Sequence, residues 1–429
     1  MTIIKINNFK IIYNRVKGSE TTLVEAYINN GSIFETQDNV GISHLLEHIV
    51  TEGWKKCNGP CSQYWAKRGV TTNASTGQTF VNYYMHGLKK YSVEMMDYIA
   101  GIAMRPIMTQ ERIKKEKKAV KNELIMNKSF PDIKLYNKLN SILFKLEGLK
   151  LQDDVDYQLH LLNSFTKKQL QDWLDLYYVP GNIIFVVNGD ISVKSIERIF
   201  KKKLNKYKQN NVLKPQLDIF KIGLKVERVH TRKKGATIFF AFPSPLSQQN
   251  KEIHLIKLFE KLVNSDVTSI LFDKLREKEN LIYNLTFEEF VYGYGSYIII
   301  KTQCENKDIK KVILFTIEIL KKISNGSFDK NGKRLKSIKE LYTVDYHNTC
   351  KKNLSDVSTF IGEQYINQIN NPENTQIYNF DEIKEIVKKI SFIEFVNFVK
   401  KLLIFGNLKI VYESSTEVPN LQSLVQDKI

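Results

Sequence analysis

Two stretches far apart in the chain end on the same kind of strand. Residues 182–191, "NIIFVVNGDI", form an apolar run rich in β-branched residues and closed by a Gly-Asp turn. Residues 406–414, "GNLKIVYES", resemble it. The segments before each run follow a loosely repeated order. In the first half, "KIIYNRV" and "TTLVEAYIN" read as strands, a long helical pattern runs from about Lys90 to Leu149, and the helix "TKKQLQDWLDLYY" ends before Pro180. In the second half, "GATIFFAFPS" reads as a strand, "NKEIHLIKLFEKLVNSDVTSILFDKLREK" as helical and "NLTFEEFVYGYGSYIIIKTQC" as a strand pair. The expected fold class is therefore α+β, built as two halves of about 200 residues. The expected division is 1–200, a lysine- and asparagine-rich linker at 201–222 containing Pro215, and 223–429.

A chain of 429 residues that is 42% hydrophobic can bury a substantial core. It has no uncharged apolar run of about 18 residues, so no membrane span is expected. The opening "MTIIKINNFKIIYNRV" alternates apolar and polar residues as a strand does and lacks the apolar block of a secretory signal. Four cysteines, Cys57, Cys61, Cys304 and Cys350, make a disulfide scaffold an unsuitable reading at this length. Free thiols at Cys57 and Cys61, and a cytoplasmic or other reducing intracellular compartment, are the simpler expectation. The net charge is +18, from 64 Lys+Arg against 46 Asp+Glu. Such a surplus suits nucleic acid, membrane surfaces or acidic substrates. The lysines are scattered, however, and no basic motif interleaved with aromatics stands out, so no nucleic-acid partner is expected.

The chemistry concentrates in residues 41–53, "GISHLLEHIVTEG". His44 and His48 are four apart, so on a helix both imidazoles leave the same face one turn apart. That spacing suits two ligands to one Zn²⁺ at about 2.0–2.1 Å. Glu47 stands beside them, where a carboxylate serves as general base to an activated water. The order H-x-x-E-H inverts the commoner H-E-x-x-H of zinc proteases. A catalytic zinc needs a third protein ligand and an open position. "ERIKKEKKAVKNELIMN" offers Glu116 and Glu123, seven apart and so on one helix face. Either suits the metal, with the other as an acceptor that orients a histidine.

With these residues in view, the chain resembles the inverted zincins related to pitrilysin, insulysin and the mitochondrial processing peptidase. "NNGSIFETQDNVGISHLLEHIVTEG" is similar to the family's metal-binding segment, "RGVTTNASTGQTFVNYY" to its Asn-Ala segment, and "ERIKKEKKAVKNEL" to its third-ligand helix. The resemblance implies that His44, His48 and Glu123 hold one zinc per chain, that Glu116 supports from behind, and that Asn73 and Ala74 pair with the substrate backbone. "LREKENLIYNL" carries Arg276 and Tyr283 at the seven-residue spacing of the family's Arg–Tyr pair, implying donors to the substrate carbonyl or oxyanion. "KKCNGPC" departs from the family's usual Tyr-Pro stretch, and residues 151–164 lack its usual Gly-containing pattern.

The resemblance further implies two homologous domains, each a mainly antiparallel sheet packed with helices, together making half of a clam-shell chamber. A homodimer, or a heterodimer with a related subunit, would complete it. The expected activity is zinc-dependent endoproteolysis of peptides or short unfolded segments, with Glu47 as base and Arg276 and Tyr283 assisting. The alternative is a non-catalytic structural or assembly subunit of the same fold.

Overall fold

The computed structural model describes residues 1–57, 60–207, 218–244, 250–264, 269–292, 295–329, 331–352, 354–372 and 377–429. The chain forms two compact units. The first contains six strands: β1 (Thr2–Ile6), β2 (Phe9–Arg15), β3 (Thr21–Ile28), β4 (Thr71–Thr76), β5 (Val81–Leu88) and β6 (Ile183–Gly189). They lie in the order β1-β2-β6-β3-β5-β4. β6 is buried along its whole length, as its unbroken apolar run requires of a central strand. It pairs parallel with β2 and antiparallel with β3.

The second unit holds β7 (Lys225–His230), β8 (Gly235–Ser244), β9 (Asn284–Tyr292), β10 (Gly295–Glu305) and β11 (Lys409–Ser414), in the order β7-β11-β8-β10-β9. Here too the closing strand β11 pairs parallel with the opening strand β7 and antiparallel with β8. Apart from the additional β1, the two sheets share one order and one set of strand directions. The resemblance between "GNIIFVVNGD" and "GNLKIVYES" thus reflects equivalent central strands in two sheets of one design.

The units differ from contiguous halves. The first takes in Met1–Phe130, Leu146–Pro215 and Thr349–Pro372, and the second Pro131–Lys145, Gln216–Asn348 and Glu373–Ile429. Each sheet therefore carries a helix from the other half of the sequence. The helix Leu354–Asn370 lies on β3 and β6, and the helix Ile133–Leu143 lies on β7 and β11. The reason is visible at the helix–sheet contact. A Cβ on Gly362 would stand 2.3 Å from Tyr27 Cζ, so glycine lets the helix settle directly on that ring. Of the 201–222 segment expected to be a linker, residues 208–217 lie outside the described residues.

The Asn-Ala segment "TTNASTGQT", though polar in composition, contains strand β4. Backbone pairing with β5, in register from Thr71↔His86 to Thr76↔Val81, overrides its weak strand propensity. Cys57 and Cys61 are joined as a disulfide instead of standing as free thiols. The turn after Trp54 brings the start of the next helix back beside them, and Glu52 accepts the Cys61 amide at 2.8 Å. No helix among the described residues is long and apolar enough to cross a membrane.

Candidate metal centre

The site lies in the first unit, on two helices and an edge strand. Helix α1 (Ile42–Thr51) buries Ile42, Leu45, Leu46, Ile49 and Val50, leaving His44 and His48 only partly covered on one face. Its start is held by Glu35. One carboxylate oxygen accepts the Gly41 amide at 2.9 Å and the other the Ser43 amide at 3.0 Å. A carboxylate here satisfies amides that the helix itself cannot and complements the positive end of its dipole. Gly41 has φ +88°, a left-handed conformation suited to glycine at this tight entry. At the other end, the Tyr98 hydroxyl donates to the Thr51 carbonyl at 2.5 Å.

Helix Gln110–Asn127 packs against α1 and buries Ile113, Glu116, Val120 and Leu124 along one stripe. Glu116 and Glu123 leave that side two turns apart. The structure brings Glu123 to both imidazoles: its oxygens lie 3.5 Å from His44 Nε2 and 3.4 Å from His48 Nε2. The two Nε2 atoms are 3.3 Å apart. Ligand atoms about 2.0–2.1 Å from a tetrahedral centre stand about 3.3–3.4 Å from one another. The three donors thus fit one zinc-sized ion, and among the described residues they are the group of three able to hold a metal. Glu116 takes the other side of His48, 3.7 Å from Nδ1.

The electrostatics follow from burial and from this crowding. Burial alone would depress His48, but Glu116 and the charges of Glu47 and Glu123 outweigh it and raise its pKa. Glu123 is held below the usual carboxylate range, chiefly by its hydrogen bond with His44. Burial opposes ionisation of Glu116, yet His48 and Lys115 bring it below its ordinary value. Glu47, only 7% exposed, is pushed up by desolvation, against the pull of His44, Thr76 and His48.

Glu47 and His48 line a cavity of about 210 Å³ together with Asn73, Ala74, Thr72, Tyr83 and Tyr98 among others. Asn73 and Ala74 lie on β4, the outermost strand, opposite Tyr84 and Tyr83 of β5. Tyr83 meets Tyr178 through a 2.6 Å hydroxyl contact, and burial keeps both phenols well above their usual pKa. Arg276 and Tyr283 belong to the second unit. Arg276 sits in a π-helical segment, Asp273–Lys278, and its guanidinium donates to the Tyr283 carbonyl. Insertions of this kind gather at functional sites. Tyr283 is 56% exposed.

Residues 10–170 match the family described as insulinase (peptidase family M16), and residues 164–332 match its companion, described as the peptidase M16 inactive domain. This chain belongs to the M16 peptidase family. Among its relatives, the uncharacterized zinc protease YmxG of Bacillus subtilis (strain 168) is 24% identical over 298 residues, 68% of each chain. The ubiquinol-cytochrome-c reductase complex core protein I of Euglena gracilis is 27% identical over 186 residues, 43% of this chain and 37% of its own. A protease from Helicobacter pylori shares the fold with a TM-score of 0.81 at 16% identity, covering 96% of this chain and 99% of that one. The M16 fold thus accounts for the two sheets and their helices.

Glu35 and Thr76 are not recoverable from motif spacing. Glu35 reaches α1 across an intervening turn, and Thr76 meets Glu47 from a strand 29 positions on. Only the polar character of "TTNAST" on a strand hinted that it faces something other than a core.

Proposed function

We propose that this chain is a zinc-dependent endopeptidase acting on peptides or short unfolded segments. The observation that carries the reading is the gathering of His44, His48 and Glu123 donor atoms within 3.3–3.5 Å, with Glu47 beside them. His44, His48 and Glu123 would hold the metal, and Glu116 would orient His48. Zinc bound there supplies Lewis acidity, polarising a carbonyl and bringing the pKa of water toward about 7. Glu47, raised in pKa by burial, is suited to take a proton from the attacking water and pass it to the leaving amine. The edge of β4, outermost among the described strands and carrying Asn73 and Ala74, is suited to hold an extended peptide through main-chain hydrogen bonds. Arg276 and Tyr283 would donate to the substrate carbonyl or oxyanion. A second chain, identical or related, would complete a closed chamber.

The relatives include a core protein of a respiratory complex, so a structural-subunit role is the second reading. The complete donor set beside Glu47 favours catalysis over it. The test is hydrolysis of a quenched fluorescent peptide on the order of 10–20 residues, long enough to lie along an edge strand. Cleavage is expected, lost on zinc chelation and lost in Glu47→Gln while zinc stays bound. Cleavage by Glu47→Gln at the wild-type rate would refute the role of Glu47. A wild-type chain without zinc or cleavage would favour the structural role.

A further inference from the structure

A general base works only if its carboxylate is aimed, and Glu47 has three rotatable bonds between its backbone and its carboxylate. The free amides near the start of α1 are drawn to Glu35, which takes those of Gly41 and Ser43. The Thr76 hydroxyl donates to Glu47 Oε2 at 2.7 Å. We infer that Thr76 is the positioning residue of the site, holding Glu47 by one oxygen and leaving the other to meet the water. The inference rests on the proposed role of Glu47.

Three features make this contact more than a chance approach. Thr76 is β-branched, so on a strand its hydroxyl has few directions to choose from and little entropy to lose. It ends β4, opposite Val81, where the chain enters a turn closed by the Gly77 amide on the Phe80 carbonyl at 2.9 Å. That turn is fastened from outside, by the Ser32 amide to Gly77 O at 3.4 Å and the Ile33 amide to Gln78 O at 2.9 Å. The hydroxyl is therefore fixed by strand pairing on one side and by the Ser32–Ile33 segment on the other. Alternation puts Thr72, Ala74 and Thr76 on the half-buried face of β4, with Thr71, Asn73 and Ser75 exposed.

The consequence is a link between substrate and base. β4 has an unpaired edge among the described strands, and a peptide adding there would restrain the same strand that aims Glu47. Peptide bound in register thus meets a carboxylate already aimed. Loss of the link lowers turnover more than binding, because it acts on the proton transfer and leaves the edge intact.

The experiment compares wild type with Thr76→Val and Thr76→Ser, each loaded with zinc, on the fluorescent peptide. Val keeps the shape and β-branching but removes the donor; Ser keeps the donor. The expected result is a fall in kcat of about tenfold or more for Thr76→Val, with KM, zinc content and melting temperature close to wild type, and recovery of most of the rate in Thr76→Ser. Wild-type kcat in Thr76→Val, or a change confined to KM, would overturn the inference. So would Thr76→Ser proving as slow as Thr76→Val. A crystal structure of zinc-loaded Thr76→Val reads the positioning without activity. Glu47 turned away from its wild-type direction supports the inference, and an unmoved carboxylate overturns it. If wild type cuts no peptide while Glu47 turns in Thr76→Val, the endopeptidase reading fails and the positioning stands.

Discussion

His48 is held from both sides by carboxylates, Glu123 at Nε2 and Glu116 at Nδ1. Glu116 is 6% exposed, and such a charge is kept in a helix stripe only where a partner offsets its desolvation. Its partners are His48 and Lys115, 3.5 Å away. Replacing it by Gln removes the charge that orients and polarises the imidazole but keeps the volume. The expected result for Glu116→Gln is zinc affinity weakened by about 10–100-fold with the fold retained. Competition against a chelator of known affinity measures it, and unchanged affinity would assign Glu116 to the packing of its helix alone. The histidine pair was legible in the sequence because i, i+4 geometry is local. The two glutamates were legible as a pair, seven apart on one face, while their separate tasks depend on how two helices cross.

The helix Leu354–Asn370 is held on its sheet by a buried polar contact as well as by apolar packing. Glu25 on β3 is 2% exposed and accepts hydrogen bonds from Tyr27 at 3.0 Å and from Ser358 of the helix. Desolvation dominates and raises its pKa to about 7 from 4.5, against the pull of those hydrogen bonds. The folded state therefore holds the proton more tightly than the unfolded chain. The associated stability is fully present below about pH 4.5 and is lost as pH rises through about 7, amounting to about 3 kcal/mol at 1.36 kcal/mol per pKa unit. Glu25→Gln, neutral throughout, is expected to flatten that part of the stability profile and to be the more stable chain at pH 8. Denaturant melts at pH 5 and pH 8 for both proteins check it. Equal slopes would show that Glu25 is not protonated in the fold. Strand β4 is the complementary lesson at this scale. Its residues carry no apolar alternation, so only pairing with β5 makes it a strand.

At the scale of the molecule, each sheet depends on a helix contributed by the opposite half of the sequence. A fragment ending at residue 200 would contain the whole six-stranded sheet yet lack the helix that covers β3 and β6. Exposing that apolar face removes hydrophobic burial from a fold whose net stability is only about 5–15 kcal/mol. Residues 1–200 alone are therefore expected to aggregate or to unfold without a cooperative transition. Circular dichroism and sedimentation of the fragment test this, and a monomer melting cooperatively would show that the exchanged helix is dispensable.

The sequence by itself determined what depends on short range and on repetition. The α+β class, the two repeated sheets and the H-x-x-E-H face all follow from periodicities of two and of about 3.6 residues, which act within a single element. Tertiary structure alone decided which elements meet: the two exchanged helices, the Glu35 carboxylate at the start of α1, the Cys57–Cys61 pairing and the Thr76 hydroxyl on Glu47. Such contacts are selected by which packing buries the most apolar surface while satisfying each buried polar group, a choice made by the whole chain at once.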